Sequence, residues 1–292
     1  MAQAADHRAP AQFSAVETGL HRALMRPRVL AIACLAVLAG SGWLYLGLML
    51  GARGGGDGPP GLLAALCRPT FGNGSVASGS WGADLALAAL MWTAMTVAMM
   101  LPTAGPMVLT YAEIAETAAA KRERVISPLV LMAGYLAVWL GFALAATGVQ
   151  WLLTRLALLD PVLATASGLF SGAVFIGAGA YQFSPLKHAC VTQCQQPFPF
   201  FFANWSTAPR AVFRLGLRQG LYCLGCCWAM MLVMFAVGVM NVVWMAALGI
   251  IMGVEKIMST PRFSRAVGAV FLLIGVAFVA SSVLAQWPAP NG

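Results

Sequence analysis

The sequence predicts an all-α, polytopic transmembrane bundle of about seven helices, with the N-terminus inside and the C-terminus outside. Soluble domains run near ~45–50% apolar and ~25% charged residues, whereas this 292-residue chain is 60% hydrophobic and 9% charged. So few charges cannot cover a water-facing surface. The apolar residues also arrive in repeated blocks of about twenty, the length that crosses ~30 Å of hydrocarbon. Finally, Lys and Arg gather in alternate connections, as they do in cytoplasmic loops.

The first apolar block covers residues 29–50. Residues 1–28 carry Asp6, Arg8, Glu17, Arg22, Arg26 and Arg28. They are too long and too acidic for the basic start of a signal peptide, so they read as a cytoplasmic segment ahead of a retained anchor. The connection 51–83 is rich in Gly, Pro and Ser and reads as an irregular external loop holding Cys67. Further spans are expected near 84–110, 127–153 and 165–183. Residues 184–214 form the longest inner connection, with Pro185, Pro197, Pro199, Pro209 and the run Phe200, Phe201, Phe202. So apolar a loop is expected to lie on the membrane surface or fold back among the helices.

Spans five and six, near 217–237 and 241–254, are separated only by Gly238-Val239-Met240-Asn241. That stretch can make a hairpin or sit inside one continuous helix. Charge sidedness arbitrates: the hairpin puts fourteen of the seventeen Lys and Arg inside, whereas merging the two leaves eleven. The last span, near 266–286, then leaves 287–292 as an external tail, and 29–286 forms one transmembrane domain. The net charge of +8 is accounted for by this topology. There is no basic patch with interleaved aromatics and no nucleic-acid motif, so the expected partner is the lipid bilayer, in a bacterial inner (plasma) membrane.

Five of the seven cysteines fall in two clusters, Cys190 with Cys194 and Cys223 with Cys226 and Cys227. The topology puts both at the cytoplasmic face, where thiols stay reduced, so metal binding or catalysis is a better default than a disulfide. His188 adds a possible imidazole. On helix five, residues at spacing three and four share a face, so Cys223, Cys226 and Cys227 lead to Met230, Met231 and Met234. Met91, Met95 and Met99 repeat the spacing on helix two, with Met100 beside them. Thiolate and thioether are soft donors that suit Cu(I), whereas zinc rarely uses Met and is the less expected ion. Met is also an adaptable packing residue, and the Met stripes alone read first as packing.

Plainer readings cover other polar groups. Glu255 and Lys256 read as an interfacial ion pair, Asp84 as a helix cap, Asn241 as a turn residue, and Tyr181 and Trp228 as interfacial anchors. Cys34 and Cys67 read as structural or incidental.

Three stretches carry a family likeness. They are Met91-Trp92-Thr93-Ala94-Met95-Thr96-Val97-Ala98-Met99-Met100-Leu101-Pro102; Tyr181 to Cys190 with Cys194 and Pro197; and Gly220 through Tyr222-Cys223-Leu224-Gly225-Cys226-Cys227-Trp228 to Gly238 and Asn241, ending near Glu255-Lys256. On these residues the chain resembles the predicted metal-binding integral membrane proteins filed as a domain of unknown function and sometimes labelled copper chaperones. The likeness departs at Gln195, where a basic residue is common, and leaves the cysteines untouched. It implies metal binding.

The leading expectation is a non-enzymatic, membrane-embedded Cu(I) handler with Cys190, Cys194, Cys223, Cys226, Cys227 and His188 as candidate ligands. Met95, Met99, Met230, Met231 and Met234 would be relays to a copper protein or a membrane complex. A membrane thiol-disulfide oxidoreductase using Cys223-Leu224-Gly225-Cys226 at a helix start is the enzymatic alternative. A structural subunit of a membrane metalloenzyme complex is a third. No Ser-His-Asp set and no Glu-x-x-His pair points to hydrolysis or di-iron chemistry.

Overall fold

A computed structural model of the chain describes residues 27–54, 81–156, 168–238, 241–258 and 260–286. Cys67, the segment 1–26 and the tail 287–292 lie outside the described residues. Among the described residues the protein is all-α, with nine helices and no strand. They are α1 (Pro27–Gly54), α2 (Trp81–Ala120), α3 (Pro128–Arg155), α4 (Gly168–Tyr181), α5 (Pro185–Gln195), α6 (Pro197–Ala203), α7 (Pro209–Val237), α8 (Val242–Ile257) and α9 (Pro261–Gln286). Five of them, α1, α2, α3, α7 and α9, are long and apolar enough to cross a membrane.

Six of these helices begin with proline, whose missing N–H costs nothing in a first turn and whose fixed φ suits it. This corrects the reading of 184–214 as a loop, since the connection is largely helical. Pro185, Pro197 and Pro209 are helix starts there, not loop residues. Ser184 caps α5 by accepting from Lys187 N at 3.1 Å, and Ser127 caps α3 by accepting from Leu129 N. The aromatic run folds back among the helices: Phe201 is buried on α6, edge-on to Tyr111 of α2 at 5.5 Å between ring centroids. As a result α2 continues helically to Ala120 and α7 begins at Pro209, both longer than the apolar blocks that announce them.

Between α7 and α8 the chain breaks. Gly238 has φ 93°, a backbone conformation that glycine adopts freely, and the Asn241 side chain caps α8 by accepting from Trp244 N at 3.2 Å. The break yields two helices, not one.

Named contacts set the relative directions. Arg28 with Glu113 and Gly42 with Ala98 make α1 and α2 antiparallel. Trp92 with Gln150 and Tyr111 with the Ile126 carbonyl do the same for α2 and α3. Gly134 with Gly216, then Val138 with Gly220, runs α7 parallel to α3. Tyr181 with Gly225 and Ser171 with Ala236 set α4 against α7. Lys256 with Cys223 folds α8 back along α7, and Met99 with Gly249 lays it parallel to α2. α9 runs opposite to α4, through Gly179 with Gly268 and Gly172 with Gly275.

Lipid offers no hydrophobic drive between apolar helices, so close approach of backbones through small residues does that work. A Cβ on Gly172 would come 2.9 Å from the Gly275 carbonyl, and one on Gly216 would collide with the Leu131 carbonyl. Pro102 inside α2 cannot donate to the Ala98 carbonyl four residues back. Trp43 Nε1 of α1 supplies that hydrogen bond instead, at 3.0 Å.

Candidate metal centre

Residues 223, 226 and 227 lie at i, i+3 and i+4, which puts three thiols on one face of α7. That face is inward: Cys223, Cys226 and Cys227 are 2%, 1% and 0% exposed. Their sulfurs all lie within 4.8 Å of one another, with Cys226 Sγ 3.3 Å from Cys227 Sγ. A metal–thiolate bond of about 2.3 Å places two sulfurs of one site about 4 Å apart, so the spacing suits a shared ion.

Five other helices close around this part of α7. The glycine crossing of α3 on α7 brings Tyr135 in, and its hydroxyl sits 3.0 Å from Cys223 Sγ and 3.2 Å from the Met100 carbonyl. α8 ends beside the cluster, where the Lys256 ammonium donates to Cys223 Sγ at 3.0 Å and to Thr103 Oγ1 of α2 at 2.6 Å. From α5, the Cys194 thiol interacts with that of Cys226. Cys190 Sγ packs so tightly on Gly225 that a Cβ there would come within 2.6 Å of it. Tyr181 completes this side by donating to the Gly225 carbonyl at 2.5 Å.

Glu255 and Lys256 do not pair with each other, which corrects the interfacial ion pair expected of them. Adjacent helical residues point about 100° apart, and here they face different partners. Lys187 of α5 and Glu255 form a 2.8 Å ion pair whose side chains are 1% and 4% exposed. Ser264 Oγ also donates to Glu255 Oε1. Gln195 Nε2 donates to the carbonyls of Glu255 and Met258, both at 2.8 Å, and so latches α5 onto the end of α8.

The candidate residues thus divide. Cys194, Cys223, Cys226 and Cys227 come together, and Cys190 lies beside Gly225 at their edge. Burial pushes the Cys190 thiol up from its ordinary range. His188 is exposed on α5, away from the buried face that carries Lys187 and Val191. Met95, Met99, Met230, Met231 and Met234 are all buried. Cys223 is level with Met100, because Tyr135 OH reaches both, so Met95 on α2 and Met230, Met231 and Met234 on α7 lie on the same side of Cys223, with Met99 close to its level. Cys34 is half-buried on α1, remote in sequence from the cluster.

Sequence patterns do not single out Tyr135 and Thr103, nor Lys256 as a partner of sulfur. An ionisable residue within an apolar segment is itself a signal of function, and Lys256 could have been found that way. Nothing local marks Tyr135.

The Cys-x-x-Cys pair sits at the middle of α7, not at its start, because the helix begins at Pro209. The field of a helix N-terminus fades within the first turn, so a helix start does not contribute to the activation of this pair.

Long apolar helices around a buried thiol cluster fit a membrane protein that handles a metal. A family described as PpoB2, copper chaperone, matches residues 89–278, and the chain belongs to that family. No curated protein matches the chain, and no solved structure does. The match spans the three stretches that carried the likeness in sequence.

Proposed function

We propose that the protein receives Cu(I) from the cytoplasmic side, holds it on Cys223, Cys226 and Cys227, and passes it outward along buried methionines to a copper protein or membrane complex. The observation that carries this reading is the mutual approach of three buried thiols within 4.8 Å. A cluster of thiols alone would serve zinc or copper, and it is the thioether stripes beside it, donors that zinc rarely uses, that favour a soft monovalent ion. Measured along the helix, Met230 and Met234 stand about 10 and 16 Å beyond Cys223.

The topology in this reading has seven spans, the N-terminus inside and the C-terminus outside, in a bacterial inner membrane. The alternating helix directions support it, as does the gathering of Lys121, Arg122, Arg124, Lys187, Arg210, Arg214 and Arg218 at one end of the bundle. α8 is 16 residues long, about 24 Å, and crosses with its charged end at the inner side. Cys223 lies about 7 Å deeper than Arg218 along α7, which in this reading supports a site just within the inner leaflet.

The test is metal analysis of anaerobically purified protein. The expected result is stoichiometric Cu(I), lost in Cys223→Ala/Cys226→Ala. Protein that stays metal-free in the presence of Cu(I), with unchanged thermal stability, would defeat the reading.

A further inference from the structure

The three buried thiols are closed off from water, so an ion must reach them through a group that is itself accessible. Cys194 is partly exposed, and its thiol interacts with that of Cys226. Beside it lies a cavity of about 40 Å³ walled by Cys194, Gln195, Gln219, Tyr135, Cys223 and Lys256. A cavity needs only about 10–15 Å³ open to a water-sized probe to hold a water, so this one has room for a small polar occupant. Gln219 is 2% exposed on this wall, and its Nε2 has no hydrogen-bond partner among the described residues. A buried donor left unmatched is costly. The cavity is therefore built for a polar occupant that is not part of the chain.

We propose that Cys194 is the receiving ligand, taking Cu(I) from a thiolate-bearing carrier and handing it across this cavity to Cys223, with Gln219 holding the water that the ion displaces. The proposal rests on the reading of Cys223, Cys226 and Cys227 as a Cu(I) site. It is ligand exchange without oxidation. A copper–sulfur bond to Cys194 forms as one to the carrier breaks, and the proton leaving the Cys194 thiol goes to the departing carrier thiolate. In the second exchange the bond to the Cys223 thiolate held by Lys256 forms as that to Cys194 breaks, and the proton that Cys194 takes back comes from the Cys226 thiol, which becomes the second thiolate on the ion. Association through a thiol already in contact with the cluster explains how a buried site loads without the bundle opening.

The experiment tracks anaerobic loading of the purified full chain in detergent from a Cu(I)–glutathione complex, reading both rate and final stoichiometry. Cys194→Ser should reach the wild-type stoichiometry at least tenfold more slowly. Gln219→Leu, which replaces the orphaned amide with an apolar group of similar size, should slow loading in the same direction without lowering the thermal unfolding temperature. An unchanged rate in Cys194→Ser overturns the proposal, and so does a loss of stoichiometry, which would make Cys194 a permanent ligand. Wild-type protein that takes up no Cu(I) from this complex or from free Cu(I) overturns instead the reading on which the proposal rests.

Discussion

The ammonium of Lys256 lies 3.0 Å from the sulfur of Cys223, on a helix that has turned back from the one carrying the thiols. A buried ammonium calls for an anionic partner. Glu255, adjacent in sequence, is committed to Lys187, and so the positive charge at the sulfur cluster is balanced by sulfur. In a Cu(I) site with two thiolates the copper and the lysine together leave no net charge to bury.

From that contact we expect Lys256→Met to weaken Cu(I) retention by one to two orders of magnitude, since a hydrogen bond to a charged group contributes about 1.5–3 kcal/mol. Competition against a Cu(I) chelator measures it. Retention equal to wild type would show that the ammonium is not the charge partner of the bound state.

The Lys187–Glu255 pair is fully buried, and removing one partner from such a pair costs about 3–5 kcal/mol by stranding the other charge. Lys187→Met and Glu255→Leu should each lower the unfolding midpoint in detergent. The double substitution should recover most of the loss, because no charge is then left uncompensated. If the double variant is as unstable as the singles combined, the pair acts through more than its charges.

Glycine substitutions should sort by what a Cβ would meet. Gly216→Ala drives a methyl into the Leu131 carbonyl and pushes α3 from α7, whereas Gly141 of α3 has nothing within 4 Å of an added Cβ. Gly141→Ala should be neutral or stabilise by about 0.5–1 kcal/mol, the helical preference for Ala. Gly216→Ala should destabilise and also reduce Cu(I) retention, since it displaces Tyr135 from Cys223. Retention at the wild-type level in a folded Gly216→Ala protein would separate the crossing from the site.

Alkylation by a water-soluble maleimide should reach Cys190 and Cys194 first and leave Cys223, Cys226 and Cys227 unreacted in the folded protein, in keeping with their burial. Burial holds the Cys190 thiol above its ordinary range, and only the thiolate reacts. The sign is therefore a slow Cys190 reaction near neutral pH that keeps accelerating above the range where an exposed thiol has levelled off. Mass spectrometry of each peptide with pH reads it. Rapid labelling of Cys226 at neutral pH would contradict the buried placement.

The all-α class and helix positions, the two cysteine groups and the family likeness were legible in the sequence because each depends on neighbours along the chain. Hydropathy is a sum over a window, and i, i+3, i+4 spacing is a property of one helix. The same local reasoning failed at 184–214, where four prolines resemble a loop signal. A proline at a first helical turn and one in a loop differ only in whether the residues downstream find a packing partner, and there the aromatic run finds Tyr111 of α2.

What only the tertiary structure decided is which groups share the site. The glycines at 134, 216 and 220 set how closely α3 approaches α7, and through that whether Tyr135 reaches Cys223. The turn at Gly238 brings residue 256 back beside residue 223, and the capped start of α5 aims Cys194 at Cys226. In each case the deciding quantity is the distance and rotation between helices. It depends on packing between residues far apart in the chain, which no window along the sequence contains.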